Sequence, residues 1–67
     1  MTLIELNGRA REVATGTSVA ELIVELTGSA RGSAAVVDGA VVPRSEWPSC
    51  TLRDGQRVEL ITAVQGG

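Results

Sequence analysis

A single helix has to cover the core of this whole chain. Only one stretch, SVAELIVELTG at 18–28, carries a helical period. Ser18 followed by Glu21 has the form of a capping box, in which the serine side chain caps the helix start and the glutamate reaches back. Val19, Leu22, Ile23 and Leu26 fall at i, i+3, i+4 and i+7, one apolar stripe, with Glu21 and Glu25 towards solvent. Gly28 is placed to end the helix in the left-handed conformation. One amphipathic helix buries its stripe only against a sheet, and the flanking sequence reads as strands.

TLIEL (2–6), Asn7-Gly8 and RAREV (9–13) read as a β-hairpin, since Asn-Gly supplies the two positive φ angles of a type I′ turn. Alternation puts Ile4 and Leu6 on one face, Val13 opposite them, and Glu5 towards water. Residues 27–33 are small and polar, a loop. Residues 34–37 read as a buried strand, Asp38-Gly39 as a tight turn, and 40–42 as a short strand ended by Pro43, which cannot donate to a ladder. Pro48 keeps 45–49 irregular or in one helical turn. Asp54-Gly55 is another turn, and RVELITAV (57–64) is the longest strand signal. The order ββαββ predicts an α+β domain in which a mixed four- to five-stranded sheet wraps one helix, with the last strand beside the first.

At 67 residues the chain is one small domain that buries only about 60% of its unfolded surface. The lone Cys50 excludes an intrachain disulfide, so stability must come from aliphatic packing, and 43% hydrophobic content supplies the material. No run approaches the ~20 apolar residues of a membrane span, and no basic leader precedes an apolar stretch. These features point to a cytoplasmic protein. The net charge of −2 repels nucleic acid, and Trp47 is the only aromatic residue available for stacking on bases.

Catalytic groups are scarce. The chain has no histidine, which rules out a Ser/His/Asp triad and any metal site that needs an imidazole. No histidine or lysine is present to lower the Cys50 thiol pKa, so Cys50 reads as a small hydrophobe. Glu21 and Glu25 are helix surface. ATGTS (14–18) lacks the lysine of a phosphate-binding loop. Trp47 reads as a core lid beneath an irregular segment, and Arg44 either braces that segment or faces solvent.

What remains is the end, VQGG (64–67). Glycine gives up the most backbone freedom on ordering, so residues 65–67 form a flexible tail on a domain spanning 1–64. An activated glycine carboxylate is open to attack from either face, has no stereocentre to racemise, and passes through a narrow channel. Three extended residues, Gln65, Gly66 and Gly67, add a reach of about 10 Å. On the last strand Val58 and Leu60 point inward, which leaves Ile61, Ala63 and Val64 as candidates for partner docking on the open side of the sheet.

The opening hairpin, GTSVAELI (16–23), VPRSEW (42–47), DGQRVELITAVQGG (54–67) and the total length together resemble the ThiS family of small sulfur carriers of thiamin biosynthesis. Asp38 stands where that pattern has asparagine, and Gln56 where it has aspartate, both in turns. The resemblance implies a β-grasp, ubiquitin-like fold and a carrier, not an enzyme. By that resemblance a ThiF-type enzyme adenylates Gly67, a cysteine-derived sulfur donor displaces AMP, and the thiocarboxylate feeds a ThiG-type thiazole synthase. Gly66 and Gln65 thread the partners' active sites. ATP and Mg²⁺ belong to the adenylating enzyme, and the carrier binds no cofactor or metal and is a monomer alone. Two alternatives stand beside this reading: a molybdopterin synthase small subunit, whose relatives are longer and richer in phenylalanine, and a non-covalent β-grasp binding module. The absence of lysine excludes chain-forming conjugation through its own side chains.

Overall fold

The computed structural model of the protein describes residues 1–28 and 32–62. Strands β1 (Thr2–Leu6) and β2 (Arg9–Val13) precede helix α1 (Val19–Thr27), and β3 (Ser33–Val37), β4 (Ala40–Val42) and β5 (Arg57–Thr62) follow it. A 3₁₀ helix, Arg44–Ser49, lies between β4 and β5. The strands form one mixed sheet in the order β2-β1-β5-β3-β4. Of the four to five strands expected, five form, the short β4 adding an edge strand to the ββαββ frame.

Two tight turns set the hairpins. Asn7 and Gly8 take φ of 48° and 83°, and Asp38 and Gly39 take 49° and 83°. Positive φ at both central residues gives a turn twist that matches right-handed strands, and Asn and Asp are among the few non-glycine residues that tolerate it. The first turn pairs Thr2 with Val13 and Leu6 with Arg9, which puts Thr2, Ile4, Leu6 and Val13 on the core side. Glu5 lies on the outer side, half-buried beside Arg57, with 3.1 Å between its Oε2 and Arg57 Nε.

The helix start is a closed capping box. Ser18 Oγ accepts from the Glu21 N–H at 3.1 Å, and Glu21 Oε1 accepts from the Ser18 N–H at 2.9 Å. At the other end Gly28, at φ 80°, donates its N–H to Val24 O at 2.7 Å. Val19, Leu22 and Ile23 are wholly buried. Leu26, expected on the same stripe, remains 39% exposed, because the first two turns already supply the contact with the sheet and the last turn ends beside solvent. The helix absorbs Thr27 and β3 begins at Ser33, so the connection is shorter than the 27–33 expected; residues 29–31 lie outside the described region.

Strand β5 is central. It runs parallel to β1, with Glu5 opposite Arg57 and Leu6 opposite Val58, and antiparallel to β3 from Val37–Val58 to Ser33–Thr62. Val58 is fully buried as a result. The segment before β5 closes the core from below the helix: Val19 donates to Cys50 O at 2.9 Å, Leu52 donates to Thr17 O at 2.8 Å, and Leu52 is buried. Trp47 is the lid expected, buried with its Nε1–H donating to Val42 O at 2.9 Å. Arg44 is exposed yet braces it, its guanidinium 5.8 Å from the ring centroid, within the range of a cation–π contact. Cys50 is half-buried and packs against the core.

Two substitutions test this core. Leu22→Ala removes a fully buried side chain at the helix–sheet contact and should cost about 3 kcal/mol, most of the stability of so small a domain, read as a fall in urea midpoint at unchanged slope. Ser18→Ala removes the cap acceptor and should cost about 1 kcal/mol, seen as a drop in Tm of several degrees with the fold retained.

Candidate functional site

The helix covers one face of the sheet, so the other face presents side chains to solvent. Alternation along β5 directs Val58 and Leu60 to the core and Arg57, Glu59 and Ile61 outward, as the sequence predicts. Ile61 is 57% exposed and pairs across β5–β3 with Ala34, which is exposed too. Beside it, half-buried Val36 pairs with Val41 of β4, which is 71% exposed. These four side chains make an apolar strip on the outer face at the end of β5 from which the C-terminal segment departs. Glu59 and the Glu5–Arg57 pair border it towards the middle of the sheet. With Arg57 exposed and Glu5 only half-buried, that ion pair is screened by solvent, adds a few tenths of a kcal/mol at most, and keeps this border hydrophilic.

Ala34, Val36 and Val41 do not appear among the docking residues expected from sequence. Residues 34–37 read as a buried strand, whereas only alternate residues of it are covered: Ala35 and Val37 are buried and Ala34 is exposed. In a run of four small apolar residues alternation leaves no contrast, so the signal available was topological: one helix cannot cover two faces.

Of the other candidate residues, Ala63, Val64, Gln65, Gly66 and Gly67 lie outside the described residues. The base of that segment is described. Asn7 and Asp38, the left-handed residues of the two hairpin turns, both reach β5. Asp38 Oδ1 accepts from the Arg57 N–H at 2.9 Å, and the Asp38 N–H donates to Arg57 O at 2.8 Å, at the start of the strand. Asn7 Oδ1 accepts from the Leu60 N–H at 2.9 Å, and Asn7 Nδ2 donates to Leu60 O at 3.5 Å, near its end. The two departures from the family pattern have local work of this kind. Asp38 needs only its acceptor for Arg57, and Gln56 Oε1 accepts from the Arg53 N–H at 2.8 Å to close the turn before β5.

Among the described residues no three His, Cys, Asp or Glu side chains gather to hold a metal ion, and no helix is long and apolar enough to cross a membrane. The arrangement therefore offers an exposed apolar strip and a strand, paired on both sides, that leads to the C-terminal residues.

Known proteins share this plan. The model of the ThiS family matches residues 4–67. The sulfur carrier protein ThiS of Escherichia coli (strain K12) is 31% identical over 64 residues, which cover 96% of this chain and 97% of that protein. A crystal structure of a thiamine biosynthesis protein (ThiS) from Geobacter metallireducens superposes with a TM-score of 0.81 at 28% identity, over 98% of this chain and 100% of that one. A solution NMR structure of a thiamine biosynthesis protein from the same organism gives a TM-score of 0.81 at 26% identity, over 98% of this chain and 88% of that one. With a family match over nearly all of its length and the same fold in solved relatives, the chain belongs to the ThiS family.

Proposed function

We propose that the protein is the sulfur carrier for the thiazole of thiamin phosphate and that Gly67 is where the sulfur is attached. The observation that carries this reading is the family match, which runs through Gly67, together with the direct path from the central strand β5 into residues 63–67. The match is to ThiS, which favours thiamin over the molybdopterin reading. A member of this family is a carrier rather than an enzyme, so the chemistry is done to it.

A carboxylate is a poor electrophile. Gly67 has to become an acyl adenylate: its oxygen attacks the α-phosphorus of ATP, pyrophosphate leaves, and the carbonyl carbon gains a good leaving group. Sulfur derived from cysteine then attacks that carbon and AMP departs, leaving a terminal thiocarboxylate. A ThiF-type enzyme performs the first step with its own ATP and Mg²⁺, and a ThiG-type thiazole synthase receives the sulfur. Gly66 and Gln65 pass through both partners' active sites, where the lack of a side chain on glycine keeps the channel narrow. The domain of 1–64 stays outside and presents the strip of Ala34, Val36, Val41 and Ile61, and Ala63 and Val64 take part in the same docking. Exposed aliphatic side chains of this kind supply contact area to each partner in turn. The setting is the cytoplasm, and the free carrier is a monomer.

Intact-protein mass spectrometry tests the reading. After incubation with a ThiF-type enzyme, ATP, Mg²⁺ and a sulfur source, the carrier should gain the mass difference between one sulfur and one oxygen, and no gain sinks it. Deleting Gly67 should abolish that gain and leave Tm within about a degree, because a terminal residue outside the core adds little burial. Ile61→Asp places a charge in the docking strip. It should lower kcat/KM for loading by roughly tenfold, mainly through KM, while stability changes by no more than about 0.5 kcal/mol, since the side chain is exposed.

A further inference from the structure

Asn7 sits where β1 stops pairing with β5 and turns away into β2. The last main-chain bond between those strands runs from the Asn7 N–H to Val58 O at 2.9 Å, after the pairs Glu5–Arg57 and Leu6–Val58. At Asn7 and Gly8 the backbone enters the left-handed region and leaves β5 behind. One rung further along β5, Leu60 still has an N–H and a C=O to satisfy on that side. Oδ1 of Asn7 accepts the first at 2.9 Å and Nδ2 donates to the second at 3.5 Å. The side-chain carboxamide therefore stands where a continued β1 would have set a main-chain peptide group, and it extends the parallel ladder by one rung after the strand itself has gone.

That rung falls at a telling place. On its other side β5 is held by β3, with Leu60 opposite Ala35 and the pairing running on to Thr62. Among the described residues, Leu60 is the last position of β5 gripped from both sides before the chain continues to Gly67. Ile61, at the β5 end of the exposed strip, follows immediately.

The turn alone does not explain the residue. A type I′ turn accepts glycine or aspartate at this position as well as asparagine. Only a carboxamide brings an acceptor and a donor together at that reach; a carboxylate accepts only, and glycine does neither. We propose that Asn7 is a positioning residue for the loading of Gly67: its carboxamide holds β5 in place at Leu60, so a partner holding the outer face finds the carboxylate at a set place. The proposal rests on the reading of Gly67 as the reacting end. Loading brings that carboxylate to a phosphate within a partner's site, and an effect of this kind shows at saturation, because loss of aim lowers the fraction of docked carriers in a reactive pose.

Two variants keep the positive φ and remove the rung in different ways. Asn7→Gly deletes the carboxamide, and Asn7→Asp keeps the acceptor but turns a carboxylate oxygen towards Leu60 O. Val13→Ala, at the edge strand β2 and away from β5, serves as a control that loosens the core without touching the rung. The Leu60 amide should exchange with solvent roughly tenfold faster in Asn7→Gly, as expected for loss of one net hydrogen bond, and stay close to wild type in Asn7→Asp, which keeps the acceptor. The loading rate at saturating carrier should fall by roughly tenfold in both Asn7 variants with KM held within about twofold, while Val13→Ala keeps the wild-type rate at saturation. Asn7 variants that load at the wild-type rate overturn the proposal, as does unchanged Leu60 exchange in Asn7→Gly. An equal loss of saturating rate in Val13→Ala overturns it too, since general loosening then accounts for the effect. A wild-type chain that gains no sulfur overturns the Gly67 reading and this one with it, whereas normal wild-type loading with normal Asn7 variants overturns this one alone.

Discussion

The structure depends on the seating of β5 between two partners of opposite direction. A strand paired parallel on one side and antiparallel on the other is the interior of a mixed sheet, and here it is also the last strand of the chain. Parallel pairing of β1 and β5 cannot be made by a hairpin; it requires a crossover, and here the connection between them runs through β2, α1, β3, β4 and the 3₁₀ segment. Fully buried Val58 marks that pairing, since it has β1 on one side, β3 on the other, and the helix above.

Closing a sheet with its own C-terminal strand has a functional consequence. The C-terminal residues follow a strand that is hydrogen-bonded on both sides, so a pull or a twist on them is resisted at that strand. Asp38 and Asn7 reinforce this from the two turns, one at each end of the strand. At the same time, a single helix leaves the opposite face of the sheet uncovered, and the aliphatic residues on that face lie beside the exit. In this chain the economy of a small core, with one helix and one sheet, is what leaves an apolar strip exposed beside the end of β5.

Features governed by neighbours in sequence were legible beforehand. The Ser18–Glu21 box, the Gly28 stop, and the Asn7-Gly8 and Asp38-Gly39 turns all depend on residues within four positions of one another, and each forms as read. The pairing of β5 with β1 followed from both runs being apolar enough for the core. What escaped depends on distant partners. The Asn7 carboxamide meets a residue 53 positions away, and nothing in Asn-Gly beyond its turn propensity announces that. The outward Ala34, Val36 and Val41 escaped because small apolar residues at every position hide the strand's alternation. Leu26 satisfied the helical period but lies in the last turn, where period alone does not tell how far the sheet extends beneath.

In the proposed function sulfur travels on the carbonyl carbon of Gly67 and nowhere else on this chain. Its one competitor is the thiol of Cys50, the only sulfur nucleophile in the sequence, which could carry a persulfide instead. Fragmentation of the sulfur-loaded intact protein in the mass spectrometer separates the two sites directly. The account predicts that the added mass stays with fragments containing Gly67 and survives treatment with a thiol reductant. Added mass that maps to fragments containing Cys50, or that the reductant removes, would contradict it.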